Sequence, residues 1–385
     1  MGETMKGLKN VRILTPDGIV SGHIEINGDK IHRIHNDENF DGLTFDDDVI
    51  VVPGFIDQHI HGVNRSDAMD GTVEALKNMA TTLPKEGTTS FLATTMTQSV
   101  ENVTKALEAV KEYRDTDNKE GAEVVGVHLE GPFINPAACG AQDPQYIIDP
   151  TIDQFERFQE ASGNAIKVVT VAPEQNGGLE FVRHVSGQGV IASIGHTKAT
   201  YEETLQAIEA GARSATHTYN AMTGLHHREV GVVGAVLLHN ELQAELIADG
   251  LHVSPKASEI LYRNKGKHNI TLMTDALRAK GLPDGVYALG GQDATVVNGE
   301  ARLPGNVLAG STLSMIDGIK NVIKFLNISL EDAVQMATVN PAKQLGLYDR
   351  KGSIEVGKDA DLVVLNKDLE VVMTICRGQI AYQKK

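Results

Sequence analysis

The spacing of apolar and polar positions changes twice along the chain and divides it into three parts. In the first fifty residues, and again from Gly352 onward, short apolar runs such as "VRILTP" and "KIHRIHN" are separated by Asp-Gly and Asn-Gly turn signals. Such runs predict short β-strands. Because both ends share this pattern, we expect residues 1–54 and 352–385 to form one small β-sandwich domain together.

The middle part, residues 55–351, alternates apolar strand segments with amphipathic helical segments. In helical segments such as "VEALKNMATTL" and "PKASEILYRNK" the apolar positions recur at intervals of three and four. Strict alternation favours parallel pairing, and eight such units predict an α/β fold of the (β/α)8 TIM-barrel type. A Gly-rich interval from Leu282 to Asn306 predicts an inserted hairpin outside the barrel. The eight strand segments are "FIDQHI", "TTSFLATT", "EVVGVHLE", "IKVVTVAP", "VIASIGH", "SATHTYN", "AELIAD" and "ITLMTDA".

Composition narrows the class of protein. A chain of 385 residues has room for one large and one small domain. The net charge of -16, from 35 basic and 51 acidic residues, argues against nucleic acid and anionic membranes as partners. No apolar run approaches the roughly 20 residues of a membrane span, and "MGETMKGLKN" lacks the apolar centre of a signal peptide, so we expect a cytoplasmic enzyme. Cys139 and Cys376 show neither disulfide nor metal-site spacing.

Polar residues cluster at the predicted strand ends. His59 and His61 are alternate residues of an extended segment, so their side chains share a face, either as a metal-binding pair or as two surface histidines beside a turn. In a barrel, the C-terminal ends of the strands meet at one mouth. The ligand-type residues at these ends are His59, His61, Glu130, His196, His217 and Asp275.

Together these six groups predict a metal centre. They exceed what one tetrahedral ion needs with a position left for water, so we expect two divalent ions, with Glu130 as the shared carboxylate. The ions would polarise a carbonyl group and lower the pKa of a water, and Asp275 would take that water's proton and pass it to a leaving group. This chemistry is metal-assisted hydrolysis. Histidine and carboxylate ligands suit Zn, Fe, Mn and Co alike.

Five motifs carry a resemblance that covers nearly the whole chain. The motifs "PGFIDQHIHG", "HLEGPFI", "SIGHT", "THTYNAM" and "DGLHV" resemble the amidohydrolase superfamily, and their order is similar to its members that deacetylate N-acetylglucosamine 6-phosphate. The resemblance implies hydrolysis to glucosamine 6-phosphate and acetate in amino-sugar catabolism and cell-wall recycling, by a homodimer. It also implies His59, His61, Glu130, His196 and His217 as metal ligands and Asp275 as the catalytic acid and base.

The same resemblance implies the contacts to the sugar and its phosphate. Arg228 is the main phosphate candidate, with the backbone N–H groups of Asn220 and Ala221 at the preceding turn, and it is expected to be able to reach a neighbouring subunit's site. Some relatives carry a histidine near Asp143, and its absence here leaves one sugar contact unassigned. The other implied contacts are Ala141, His252, Leu308, Ala309 and Gly310.

Two other functions compete with this interpretation. Another amidohydrolase, acting on a cyclic amide or an N-acyl amino acid, would share "HIHG" without needing the Arg228 loop. A barrel that has lost catalysis and serves as an interaction protein is disfavoured, because every predicted ligand position is intact. The sequence is compatible with several metals, with one or two bound ions, with other N-acetylhexosamine 6-phosphates as substrates, and with assembly beyond a dimer.

Overall fold

The computed structural model describes residues 6–46, 48–116 and 119–384. Within these residues, strands are numbered β1 to β21 and helices α1 to α10 along the chain. Residues 1–5, 47 and 385, which fall in the predicted terminal domain, lie outside the described part.

A parallel barrel forms the middle of the chain. Each of its strands pairs in parallel with the next one along the chain, as the alternating pattern predicts. The ring closes where the backbone N–H of Asp275 donates to the carbonyl of His59 at 2.8 Å. Among the described residues its eight strands are β5 (Phe55–Ile60), β8 (Thr88–Thr94), β9 (Glu123–Glu130), β10 (Ile166–Val171), β11 (Ile191–Ile194), β12 (Ser214–Ala215), β13 (Gln243–Leu246) and β14 (Ile270–Leu272).

The helices surround this ring. Several begin after a side chain that caps the first turn: Thr72 and Ser254 each accept a backbone N–H three residues on, and Thr200 forms a capping box with Glu203. The helices are α1 (Val73–Thr82), α2 (Val100–Asp115), α3 (Ile152–Ala161), α4 (Gly178–Gly187), α5 (Tyr201–Ala210), α6 (Gly231–Leu238), α7 (Pro255–Lys265), α8 (Met315–Leu326), α9 (Leu330–Ala337) and α10 (Val339–Gln344). In the described part of the chain, none is long and apolar enough to cross a membrane.

The strand predicted over "SATHTYN" is wrong in its extent. Strand β12 ends at Ala215, because the chain turns through left-handed backbone at His217 (φ 32) and Tyr219 (φ 80). Extended backbone cannot contain such residues. The remaining residues of the predicted strand therefore form a turn at the mouth of the barrel.

Strands from both chain ends form a separate sheet. Strand β19 pairs antiparallel with β4, so that Val363 lies opposite Val52, and the sheet has its own apolar core around Ile13 and Ile24. The barrel with a small β domain from both termini is thus confirmed, while the exact boundaries at 54 and 352 stay a prediction. In spatial order the strands are β21 (Gln379–Gln383), β20 (Val371–Cys376), β19 (Leu362–Leu365), β4 (Ile50–Pro53), β1 (Gly7–Thr15), β2 (Gly18–Asn27) and β3 (Lys30–His35).

The Gly-rich interval forms a small antiparallel sheet at the barrel mouth, which we call the inserted sheet. It is larger than the predicted hairpin and consists of β15 (Gly285–Leu289), β16 (Gln292–Val297), β17 (Glu300–Leu303) and β18 (Val307–Leu308). A short two-stranded ribbon, β6 (Gly62–Val63) with β7 (Ser66–Asp67), follows the first barrel strand.

A cluster of charged side chains, three of them buried and two half-buried, lies at the opposite, N-terminal end of the barrel strands. This base cluster consists of Glu123, Arg350, Lys351, Asp359 and Asp361. The Lys351 ammonium lies 2.9 Å from Glu123, 3.0 Å from Asp359 and 2.5 Å from Asp361. Burial favours the neutral carboxyl group of Glu123, but Arg350 and Lys351 outweigh it and lower its pKa to about 2.

Candidate metal centre

The six ligand-type residues predicted from the strand ends converge at the C-terminal mouth of the barrel. His59 lies within β5, Glu130 ends β9, and the other four follow β5, β11, β12 and β14. All six are buried. Their ligand atoms form two groups in which every atom lies within 4.8 Å of the others: His59, His61, Glu130 and Asp275, and Glu130, His196 and His217.

Glu130 stands between the two histidine pairs. Its Oε2 lies 3.0 Å from His61 Nε2 and 3.5 Å from His59 Nε2. Its Oε1 lies 3.2 Å from His196 Nε2 and 3.1 Å from His217 Nε2. One carboxylate therefore offers a different oxygen to each pair, which is the arrangement of a bridging ligand.

Each of the four imidazoles forms a hydrogen bond through its Nδ1 atom, and this bond orients the ring so that Nε2 faces Glu130. An Nδ1–H that donates to an acceptor leaves the Nε2 lone pair free to bind a metal. His59 Nε2 is buried and has no hydrogen-bond partner within the described structure. The Nδ1 acceptors are Glu245 Oε2 for His59 at 3.1 Å, the Thr94 carbonyl for His61 at 3.2 Å, the Ala138 carbonyl for His196 at 2.9 Å and the Asn220 carbonyl for His217 at 3.2 Å.

The centre carries more negative than positive charge. In the described structure, the ion pairs of Glu130, Asp275 and Glu245 are all with histidines. Burial disfavours the charged imidazole of His61, yet Asp275 and Glu130 outweigh it and raise its pKa to about 10. The pKa of His59 is raised for the same reason. A divalent cation fits this donor set, because it would bind imidazole nitrogen and carboxylate oxygen and balance the excess charge.

Three of the six ligand-type residues have left-handed backbone conformations. The φ angles are 47° at His196, 32° at His217 and 49° at Asp275. Such angles are uncommon outside glycine and store strain that tends to occur at functional sites. At Asp275 the conformation is held by two hydrogen bonds, from its N–H to the His59 carbonyl and from the Ser311 N–H to its own carbonyl at 2.7 Å.

Two buried polar residues that the sequence analysis did not predict, Glu245 and Gln142, form hydrogen bonds with residues of the centre. Glu245 Oε2 accepts hydrogen bonds from His59 Nδ1 and from the His217 backbone N–H at 3.2 Å. Gln142 donates to Glu130 Oε2 at 3.0 Å and accepts from the Thr97 N–H at 2.6 Å. Glu245 could have been found in the sequence, because it is a carboxylate inside the otherwise apolar strand segment "AELIA".

His128 also stands close to the centre, with its ring centroid 4.5 Å from that of His59. Its Nδ1 contacts the Gln58 carbonyl at 3.2 Å and its Nε2 contacts the Thr170 hydroxyl at 2.7 Å. Burial, reinforced by His59, lowers the pKa of His128 to about 4. With both nitrogens engaged, His128 acts as a neutral neighbour rather than a further ligand.

A cavity of about 130 Å³ opens above the centre. Most of the residues expected to contact substrate line it, together with Met96 and Leu289, which were not predicted. Ala309 is fully buried between two lining residues, and its N–H donates to the Ala301 carbonyl at 3.0 Å. The predicted contacts that line the cavity are Ala141, Asn220, Ala221, His252, Leu308 and Gly310.

Arg228 and His252 differ in how they relate to this cavity. His252 is held by Asp249, whose Oδ2 lies 2.6 Å from His252 Nδ1. Arg228 lies on an exposed loop, and its guanidinium contacts His227 Nε2 at 2.7 Å rather than the cavity of its own chain.

Comparison with known proteins agrees with this geometry. Residues 50–381 match the model of the amidohydrolase family. The chain belongs to the amidohydrolase family. The segment shared with other amidohydrolases spans the whole barrel and reaches the last strand of the terminal sheet.

Among the amidohydrolases, the chain is similar to deacetylases of N-acetylated sugar 6-phosphates. The chain is 43% identical to an N-acetylglucosamine-6-phosphate deacetylase from Bacillus subtilis, over 98% of this chain and 97% of that protein. It is 37% identical to an N-acetylgalactosamine-6-phosphate deacetylase from Escherichia coli O157:H7, over 88% and 89% of the two chains. The resemblance found in the motifs is thereby confirmed.

A solved amidohydrolase structure superposes over almost the whole length. It is a mutant N-acetyl-D-glucosamine-6-phosphate deacetylase from Mycobacterium smegmatis in complex with N-acetyl-D-glucosamine-6-phosphate. The TM-score is 0.93 and the identity 31%, with 99% of this chain and 100% of that chain covered. The barrel and the terminal sheet are therefore both part of the shared architecture.

Proposed function

We propose that this amidohydrolase removes the acetyl group of N-acetylglucosamine 6-phosphate by hydrolysis, giving glucosamine 6-phosphate and acetate. The observation that carries the proposal is the convergence of two histidine pairs on the two oxygens of Glu130 beneath a cavity. The near full-length similarity to deacetylases of this substrate supports it.

In this proposal, the two ligand groups would hold two divalent ions, and Glu130 belongs to both groups. Bound there, zinc, iron, manganese or cobalt would polarise the amide carbonyl and make a water acidic. His59, His61 and Asp275 would hold one ion, and His196 and His217 the other. Glu245 and Gln142 keep His59 and Glu130 in position from behind.

Asp275 is the proposed proton carrier. Burial raises the pKa of Asp275, but in the metal-free chain His59 and His61 outweigh burial and lower it, and a divalent ion held by the same residues would supply that positive charge instead. The carboxylate is therefore ionised at neutral pH and able to accept a proton. Its Oδ1 lies 3.1 Å from His61 Nε2, at the edge of the cavity. From there it would take the proton of the attacking water and deliver it to the amide nitrogen as the carbon–nitrogen bond breaks.

The phosphate would bind on the side of the mouth formed by Asn220 and Ala221. Arg228 follows on the same loop but is exposed and does not line its own cavity, so we propose that it serves the neighbouring site of a homodimer. We also propose the cytoplasm as the site of action.

Removing the Arg228 guanidinium tests the phosphate assignment. We expect Arg228→Ala to raise the KM for the phosphorylated sugar with little change in kcat, because a charge-assisted contact to phosphate is lost. Arg183→Ala, which removes an exposed arginine from α4, serves as the matched control. An equal loss with an unphosphorylated analogue would contradict the assignment.

The activity itself is tested by acetate release from N-acetylglucosamine with and without the 6-phosphate. The protein is first stripped of metal and then reconstituted separately with zinc, iron, manganese or cobalt. We expect metal-dependent release from the phosphorylated sugar alone. Absence of release with every metal would contradict the proposal and favour a cyclic amide or N-acyl amino acid as substrate.

A second candidate substrate is N-acetylgalactosamine 6-phosphate, because a relative named for that activity is 37% identical. The two sugars differ only in the configuration at one hydroxyl, so the metal centre and phosphate contacts would serve both. Comparing kcat/KM for the two phosphates in the same reconstituted protein decides between them. A higher value for the galactosamine compound would change the substrate assignment but leave the deacetylation chemistry intact.

A further inference from the structure

One wall of the cavity above the metal centre is apolar and has no role in the proposed chemistry. Met96 and Leu289 form it, and they are 3% and 1% exposed. Both belong to an apolar cluster packed between the barrel mouth and the inserted sheet, separate from the main barrel core. The wall therefore combines one residue from the barrel with one from the insertion.

This wall lies across the mouth from the proposed phosphate side. Met96 follows β8, the second barrel strand, whereas Asn220 and Ala221 follow β12, the sixth. In a ring of eight strands the second and the sixth are diametrically opposite. Because all of these residues line one cavity, a bound molecule can contact both sides at once.

Hydrogen bonds on two sides hold the wall in place. Gln98 Nε2 donates to the Gly290 carbonyl at 3.1 Å, and Gln292 Nε2 donates to the Ala141 carbonyl at 2.9 Å. These bonds tie the turn between β15 and β16 to the loops after β8 and β9. A Cβ added at Gly290 would lie 3.4 Å from Met96 Sδ, at ordinary van der Waals distance, so the turn lies directly beside that side chain.

An amide substrate has two substituents that point in different directions from the carbonyl carbon. The nitrogen carries the sugar, whose phosphate would lie toward Asn220, so the acyl carbon chain points toward the opposite wall. Resting on the proposed function, we propose that Met96 and Leu289 form the acyl pocket and restrict the enzyme to acetyl-sized groups. The substrate class is then N-acyl amino sugar 6-phosphates with a short acyl chain.

The wall discriminates between acyl chains of different length because its side chains cannot easily move to admit a longer one. Leu289 is packed inside the apolar cluster, and the tied turn restrains the more adaptable Met96. A hydrophobic pocket of this kind distinguishes ligands that differ by one methylene by roughly 10-fold to 200-fold in kcat/KM. We therefore expect propanoyl and butanoyl substrates to be used at least about 10-fold less well than acetyl ones.

The experiment measures kcat/KM for N-acetyl, N-propanoyl and N-butanoyl glucosamine 6-phosphate with the metal-loaded protein. Wild type is compared with Met96→Ala, Leu289→Ala and the milder Leu289→Val, which removes a single methylene. We expect the wall variants to reduce or reverse the preference for acetyl by about 10-fold, since they open space where the longer chain would lie. The ratio of two substrates in one preparation does not depend on the fraction of folded protein.

Leu303→Ala is the matched control. Leu303 is a buried member of the same apolar cluster, but it is not among the residues that line the cavity. An unchanged acyl preference in this control supports the wall, because loosening of the inserted sheet alone then has no effect. A shift in Leu303→Ala equal to that in Met96→Ala would overturn the assignment.

The outcomes separate this inference from the proposed function. Acetate release by wild type with an acyl preference that no wall variant changes would overturn the acyl pocket and leave the deacetylase activity standing. Absence of acid release from every substrate would overturn both. A changed preference at an unchanged metal content supports both.

Discussion

Two clusters of buried charge lie at opposite ends of the same barrel, and they are neutralised in different ways. In the base cluster, Lys351 and Arg350 contact the carboxylates directly, at distances of 2.5–3.0 Å. At the metal centre, within the described residues, the ion pairs of Glu130 and Asp275 are all with imidazoles.

The difference shows which cluster serves stability and which serves chemistry. A buried charge needs a partner, because desolvation costs several kcal/mol per ion without one. The chain supplies its own cations at the base, where Glu123 joins the start of β9 to the segment before the terminal sheet. At the mouth it offers oriented imidazoles and carboxylates, and a divalent ion would supply the balancing positive charge. Four predictions test this contrast.

The largest effect is expected from Asp275→Asn at the metal centre. The amide cannot accept the water's proton, so we expect kcat to fall by about 10²-fold to 10⁴-fold while bound metal is kept. Turnover and metal content per chain are measured on the same preparation. Asp293→Asn, an exposed position on the inserted sheet, is the control. Near-normal turnover in Asp275→Asn would remove this residue from its proposed role.

Lys351→Met breaks the base cluster instead. The change leaves Asp361 buried without its cation, while Glu123 and Asp359 keep Arg350, and we expect destabilisation of about 3–5 kcal/mol. The urea midpoint of unfolding measures it, and Lys384→Met removes an exposed ion pair with Glu370 as the control. Because the cluster is remote from the mouth, the folded variant should keep its metal affinity. A lowered metal affinity would show that the two clusters are coupled.

Glu245→Gln weakens the support behind His59 without removing a proposed ligand. We expect metal affinity to fall about 10-fold to 100-fold, since the neutral amide is a poorer acceptor for the His59 Nδ1–H and the negative charge is lost. Competition with a chelator measures this affinity apart from activity. Glu123→Gln makes the same change in the base cluster, and it should lower the urea midpoint while leaving metal affinity intact. Equal affinities in wild type and Glu245→Gln would contradict a positioning role.

The smallest effect is expected when the pH is lowered, because only the contribution of Glu123 to the stability of the fold is then lost. The pKa of Glu123 is lowered from its usual 4.5 to about 2 in the folded chain. Its stabilising contribution is therefore fully present above pH 4.5 and is lost as the pH falls toward 2. The difference in urea midpoint between wild type and Glu123→Gln should shrink over this range. A difference that stays constant from pH 6 to about 2 would contradict the assigned ion pairs.

The sequence predicted the convergence of the six ligand-type side chains, but it did not predict the residues that hold them in position. His59 and His61 followed from the alternation of a strand, and the other four ligand-type residues from the rule that barrel strand ends share one mouth. Glu245 and Gln142 escaped notice because the partner behind an imidazole or a carboxylate depends on how distant segments pack. The spacing of residues within one segment does not indicate how distant segments pack.

The same limit applies to the turn after β12 and to the apolar wall. The left-handed residues His217 and Tyr219 end the strand early, although their sequence context "SATHTYN" resembles an extended segment. Met96 and Leu289 are nearly two hundred residues apart in sequence and meet only because the inserted sheet folds over the second barrel strand.

The most direct test of the account is a metal titration of stripped protein, with bound ions per chain and acetate release from N-acetylglucosamine 6-phosphate followed together. We expect no acetate release from the stripped protein. Acetate release should then rise as divalent ions bind at the metal centre, up to two ions per chain. Acetate release from stripped protein at the reconstituted rate would contradict it, because the carboxylates at the mouth would then need no cation from outside the chain.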